Sequence, residues 1–205
     1  MSLKRTLVKF LSALYSPKAN DFFRKLSESV ISEKEKRLFK SCGEKFVLHT
    51  GFNICGEKYI CIGDGFCAHE NLIMQCFDKY DCSVYEPSLK IGKRAYFGAN
   101  CHIGCIGNIT IGDNLTCGRN VLIIDHDHGQ GTIEEGSIHP LDRPLVRKGD
   151  IKIGNNVWLG ENCVVLSGVI IGDNVTVGAN SVVTKDIPGN CIVGGIPAKI
   201  IREKM

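Results

Sequence analysis

From Ile91 to Gly195 the aliphatic residues recur every six positions. The phrase aliphatic-Gly-Asp/Asn-Asn-aliphatic appears as Ile111-Gly112-Asp113-Asn114-Leu115, Ile153-Gly154-Asn155-Asn156-Val157 and Ile171-Gly172-Asp173-Asn174-Val175. Between these phrases the beat passes through Leu159, Val165, Val177 and Val183. A period of six belongs neither to an amphipathic helix nor to a free strand. It predicts an all-β solenoid, a parallel β-helix of hexapeptide repeats in which three short strands close one triangular coil of about eighteen residues. The step from Ile153 to Ile171 is one such coil. The aliphatic residue points into the core, a small residue follows at the corner, and Gly or Asn supplies the positive φ that some turns require. Strands of stacked coils pair in parallel roughly 4.8 Å apart, so the solenoid is stable only as a stack.

The pattern changes along the chain. Leu3, Leu7, Phe10, Leu11 and Leu14 fall at helical spacing, and Ser16-Pro17 ends the run. A second helical stretch carries Phe22, Phe23, Leu26, Val30 and Leu38. Residues 1–50 therefore read as a helical N-terminal segment, residues 51–195 as the β-helix and 196–205 as a C-terminal tail. Ile60-Cys61-Ile62-Gly63-Asp64 and Leu89-Lys90-Ile91-Gly92 have the form of early coils, but 29 residues separate Ile62 from Ile91. Ile111 to Ile153 is 42 residues, which reads as two coils plus six, with residues 125–150 leaving the solenoid as an external loop. A long loop on a regular solenoid is usually functional.

Composition adds a compartment. No apolar run approaches a membrane span, and no cleavable leader is apparent. The eleven cysteines are odd in number and scattered, with Cys101, Cys117, Cys163 and Cys191 inside the repeat, where cysteine serves as a small hydrophobe. Free thiols and a cytoplasmic location are expected. Residues 1–50 hold eleven Lys and Arg against five Asp and Glu, a net +6, so the rest of the chain is −3. The apolar stripe Leu3-Leu7-Phe10-Leu14 is expected to cap the open end of the solenoid; the rival reading is a membrane-surface helix, since a basic arm on a near-neutral body suits an anionic partner such as a lipid surface. No P-loop, dinucleotide-binding glycine motif or CxxC pair appears, and nucleic-acid binding has no support beyond the arm.

The candidate chemistry lies where the chain leaves the solenoid, at Ile124-Asp125-His126-Asp127-His128-Gly129. His126 there reads as a general base beside a cleft. A metal site is the second reading, since His and Asp are good ligands. A solvated polar loop is the third.

The segment from Ile91 to Arg202 resembles the left-handed β-helix hexapeptide acyltransferases. It is closest to the galactoside and maltose acetyltransferase branch and to sugar O-acetyltransferases of bacterial surface polysaccharides. The resemblance rests on Ile153-Gly154-Asn155-Asn156-Val157-Trp158-Leu159-Gly160, on Val182-Val183-Thr184-Lys185-Asp186-Ile187-Pro188, on Gly194-Gly195-Ile196-Pro197-Ala198-Lys199 and on the Asp-His-Asp-His entry to the loop. It implies a left-handed coil, acetyl transfer from acetyl-CoA without an acyl-enzyme, no metal, and a homotrimer with its sites between subunits. His126 would be the base, with Asp125, His128 and Asn100 toward a sugar or glycan acceptor; Asn100 reads equally as a turn residue. Trp158, Gly160, Gly178 and Ala179 would flank the pantetheine, Thr184 the adenine end, and Lys185 and Arg202 the phosphates. Trp158 reads equally as an oligomer contact. The N-terminal segment lacks the helical motif and acceptor-binding aspartate of the maltose and galactoside branch. Antibiotic acetylation, a γ-class carbonic anhydrase and a non-catalytic scaffold are the competing functions. His102, His126 and His128 do not reproduce the zinc-ligand spacing of that anhydrase class.

Overall fold

The computed structural model describes residues 3–204, apart from the side chains of Leu3, Phe10, Leu11, Ala13 and Leu14. Three sheets of six, eight and six strands, parallel but for the last strand of the second, form the faces of a prism. The chain visits them in rotation. One coil runs from Asn108–Ile111 on the first face to Thr116–Cys117 on the second and Leu122–Ile124 on the third. The next begins at Ile151–Ile153, back on the first face and in register with Asn108–Ile111. This is a parallel β-helix.

The six-residue beat becomes columns of identical depth. Ile62, Ile91, Ile111, Ile153 and Ile171 line the first face from within; Ala68, Phe97, Cys117, Leu159 and Val177 the second; Met74, Ile103, Ile123, Val165 and Val183 the third. Burying each larger aliphatic side chain contributes about 1.5–3 kcal/mol. Cysteine fills the narrow places, and burial pushes the Cys101 thiol up to about 11, so it stays protonated in the core. The corner between the second and third faces is an asparagine ladder. Asn71, Asn100, Asn120, Asn162 and Asn180 all take positive φ, and each amide donates to the next at 3.0 Å or less. Asparagine suits this corner because it tolerates the left-handed backbone while its amide joins neighbouring coils.

Two boundaries differ from the expected ones. The first coil begins at Ser41–Cys42, which pairs with Ile60–Ile62, ten residues before position 51. Its short strands carry little periodicity to announce them. The tail is also ordered: Lys199–Glu203 runs antiparallel along Cys191–Gly194 and closes the second sheet. The interval from Ile111 to Ile153 is not two coils plus six. These residues are direct register partners, so the interval is one coil carrying a single insertion. Likewise Ile62 pairs with Ile91, and the excess residues between them form a hairpin, Lys79–Tyr80 against Ser83–Val84. The two excursions dock on each other: Tyr80 Oη donates to Leu141 O at 2.7 Å, and Tyr85 Oη bonds both the carbonyl and the amide of Leu145 at 3.0 Å.

Two helices precede the coils, α1 at Leu3–Leu14 and α2 at Pro17–Lys36. Ser16 caps α2 by accepting from Ala19 N, and Pro17 opens its first turn. α2 docks through its polar side. Glu28, Ser32 and Glu35 are buried, and Ser32 Oγ accepts from Leu48 N at 2.9 Å. Phe22, Phe23, Leu26 and Val30 all face out. Of the apolar stripe Leu3-Leu7-Phe10-Leu14, Leu7 is exposed and the other three side chains lie outside the described residues. Within the first coils Phe39 stands edge-on to Phe46, which stacks on Phe66. Among the described residues no helix is long and apolar enough to cross a membrane.

Candidate active site

The strand Leu122–Ile124 ends at a bend, and the next two residues form a buried pair. Asp125 is fully buried. Its carboxylate accepts from Ile106 N at 2.9 Å and from Gly107 N at 2.8 Å, and one oxygen lies 2.9 Å from His126 Nδ1. A carboxylate can only accept, so Nδ1 carries the ring proton and Nε2 presents a lone pair. The ring rests over Gly104 and stands edge-on to Phe77 at 6.2 Å between centroids. His126 is 7% exposed. A histidine whose Nδ1 faces a buried acceptor is arranged as a general base would need to be.

Asp125 is thus not free to touch a substrate, as the sequence had suggested; its lone pairs are spent on the backbone and on His126. Asn100 is found in the turn role, one of its two readings. Its amide is used on both sides by the asparagine ladder, at the opposite end of the third face from His126. His128 is exposed, pairs with Leu145 across the stem of the insertion, and packs against Tyr80. With Asp127, Gln130, Arg147 and Lys148 it lines a cleft of about 490 Å³ on the loop side of the dyad, which His126 itself does not reach.

The residues expected around the acyl donor fall into two groups. The register Ile123, Val165, Val183 continues to Asp125, Ser167 and Lys185, and Ser167 Oγ donates to Asp125 O at 2.6 Å. Lys185 and Thr184 therefore share the corner of His126, two coil steps away, roughly 10 Å. Trp158, Gly160, Gly178 and Ala179 lie on the second face and its far corner. Trp158 is 56% exposed. A Cβ at Gly160 would meet Ala179 N at 2.6 Å, so this glycine is required by coil stacking itself. Arg202 pairs with Ile192 on the edge of the second sheet, so it and Lys185 do not form one phosphate cluster within a chain.

His102 is a member that sequence reasoning did not place. It lies on the same face, and burial, reinforced by the neighbouring His126, holds its imidazole below the usual histidine range. Only its alternation on a strand beside the loop-bearing strand could have signalled it. The metal-capable group among the described residues is elsewhere and does not include His126.

Family models match the two regular stretches: residues 150–185 match the bacterial transferase hexapeptide (six repeats), and residues 88–123 the hexapeptide repeat of succinyl-transferase. The galactoside O-acetyltransferase of Escherichia coli K12 is 38% identical over 124 residues, covering 58% of this chain and 56% of that protein. The putative lipopolysaccharide biosynthesis O-acetyl transferase WbbJ of the same strain is 44% identical over 105 residues, covering 50% and 54%. The chain thus spans about half the length of these relatives. A solved galactoside acetyltransferase in complex with coenzyme A superposes with TM-score 0.52 at 30% identity, over 82% of this chain and 67% of that one. AntD, an N-acyltransferase from Bacillus cereus, superposes with TM-score 0.67 over 84% and 87%, and at 20% identity shares the fold alone. The prism is a left-handed parallel β-helix of hexapeptide repeats. The chain belongs to the hexapeptide-repeat acetyltransferases, in the branch of the galactoside enzymes and WbbJ.

Proposed function

We propose that the protein is an acetyl-CoA-dependent O-acetyltransferase acting on a sugar or surface-glycan precursor. The Asp125–His126 dyad carries the reading. Nε2 of His126 takes the proton from the acceptor hydroxyl as its oxygen attacks the thioester carbon. The tetrahedral intermediate collapses, the C–S bond breaks, and the imidazolium returns the proton to the coenzyme A thiolate. Asp125 steadies the imidazolium that forms between these steps and keeps the ring in position. Thr184 and Lys185 extend from the same corner toward the donor, and the cleft beside His128 offers a polar lining to the part of the acceptor away from the reacting hydroxyl. The named functions of the relatives support transfer of acetyl to sugars, and the coenzyme A complexes among the neighbours support the donor.

The working unit is a homotrimer with its clefts between subunits, and the arm touches a lipid surface through the outward apolar side of α2 and its lysines. Eleven unpaired cysteines fit a reducing compartment, the cytoplasm. The test is a product assay with labelled acetyl-CoA against a panel of sugars, glycan precursors and antibiotics. Transfer to a sugar hydroxyl, lowered about 10²–10⁴-fold by His126→Ala with acetyl-CoA affinity retained, is expected. Activity of that variant within a few-fold of wild type sinks the assignment of the base, and transfer to antibiotics alone sinks the acceptor class.

A further inference from the structure

The first two coils hold a second cluster of chemically capable side chains, on a different face from His126. His49 and His69 occupy equivalent positions one coil apart, each following a paired residue of the register Leu48–Ala68. Their rings stack at 4.8 Å with 19° between planes. Cys67 lies two residues before His69, so both side chains project from the same side of one strand. Ligand-capable atoms of His49, Cys67 and His69 all lie within 4.8 Å of one another.

Carboxylates stand near both imidazoles, and Glu70 Oε2 lies 3.6 Å from His69 Nδ1, beyond hydrogen-bond distance. His49 Nδ1 is buried and makes no hydrogen bond among the described residues. Glu28 Oε1 lies 3.1 Å from it, but off the axis a ring N–H would need. That carboxylate comes from α2, is 7% exposed, and is pinned by Arg24 at 2.9 and 3.1 Å. Two stacked imidazoles repel each other if both are protonated, and a buried ring nitrogen without a partner is costly if they are not. A cation relieves both conditions at once.

We infer that His49, Cys67 and His69 form a zinc-type metal site that joins the first two coils, with Glu28 of α2 supplying further negative charge beside it. One thiolate and two imidazoles select a borderline-soft divalent ion over calcium or magnesium. Zinc bonds of about 2.0–2.3 Å place tetrahedral ligands roughly 3.3–3.6 Å apart, which side-chain rotations of about 1 Å would reach here. Binding displaces the thiol proton to solvent. The site stands apart from the proposed catalytic dyad, and its role is to hold the entrance of the solenoid together.

The experiment uses the full chain, reduced, stripped with a chelator and titrated with Co²⁺ as the optical probe. About one Co²⁺ per chain is expected, with thiolate-to-cobalt charge transfer in the near ultraviolet and the d–d absorption of a tetrahedral site. Zn²⁺ should bleach both and raise Tm by several degrees. Cys67→Ser should abolish the charge-transfer band, and Cys55→Ser should keep it. If circular dichroism finds Cys67→Ser unfolded, His49→Asn carries the comparison and should weaken Co²⁺ binding at least about tenfold. Absence of a charge-transfer band at saturating Co²⁺, an unchanged band in folded Cys67→Ser, or unchanged affinity in His49→Asn overturns the site.

Discussion

A Cβ placed on Gly104 would sit 3.1 Å from Cε1 of His126, and only 3.2 Å from Cγ1 of Ile124. The backbone of Gly104 is not in the left-handed region, so what favours glycine is the crowding of this position by His126 and Ile124. Gly104→Ala should displace the ring by a few tenths of an ångström while leaving the coil paired. We expect kcat to fall about tenfold, since small misplacements of a catalytic group are expensive. KM for acetyl-CoA and Tm should change little. Wild-type kcat in this variant would mean that the seat over Gly104 is irrelevant to turnover.

His102 gives the protein a pH-dependent component of stability. Its folded-state pKa is lowered, first by burial and then by His126, so the unfolded chain binds this proton more readily. The contribution is fully present above the unfolded value, about 6.5, and is lost progressively as pH falls below it. Urea unfolding between pH 5 and 8 should show a decline on the acid side that His102→Asn reduces. An identical acid slope in the variant would assign the decline to other groups.

Much of this architecture was legible because its physics is periodic. The step from Ile153 to Ile171 names the coil, and Asp125-His126 stands where the beat breaks. What could not be read was depth and direction. Asp125 and His128 look alike in the sequence, yet one is sealed beneath the coil and the other lies in the loop. The difference comes from Ile106 and Gly107, whose amides belong to the preceding coil. Asn100 was ambiguous because its ladder partners Asn71 and Asn120 lie 29 and 20 residues away. The early coil from Ser41 was missed because two-residue strands have no measurable period. The polar docking of α2 was missed because apolar helix faces normally point inward.

Lys185 and Arg202 should both serve the donor, from different places in the fold. Lys185 shares the corner of the dyad, whereas Arg202 lies on the edge of the second sheet. Changing either to Glu should raise KM for acetyl-CoA more than it lowers kcat, and added salt should weaken both effects. In the double variant the effects should be additive if the two cations serve one donor from neighbouring chains. Equal losses with a dephosphorylated donor would remove both residues from phosphate binding.

The arm should separate from the enzyme. The docking bonds of α2 come from Ser32, well beyond α1. Deleting residues 1–15 should leave Tm of the coil nearly unchanged and lower binding to anionic liposomes. Phe22→Glu with Phe23→Glu should do the same through α2, since an amphipathic helix binds a membrane surface by its apolar side. A large fall in Tm would return the arm to a capping role, and unchanged liposome binding would leave its outward face for a protein neighbour.

The cleft should be completed by a second copy of the chain. His126 is nearly buried by its own coil and loop, while Trp158, the side chain expected beside the donor, stands exposed on another face. One prism cannot bring those faces together, because its second and third faces meet at the asparagine corner, away from His126. Three prisms about a closed axis can set the second face of one beside the loop of the next, giving three equivalent clefts. Sedimentation should find a trimer at micromolar concentration; a monomer rejects the arrangement. A mixing experiment then tests the shared cleft. His126→Ala and Trp158→Ala chains, each weak alone, are unfolded, combined equally and refolded. If the two residues meet across an interface, random assembly leaves about a quarter of the clefts with both intact, and activity should recover to about that fraction. If they act within one chain, no cleft regains both, and mass-verified mixed trimers would stay as weak as the parents.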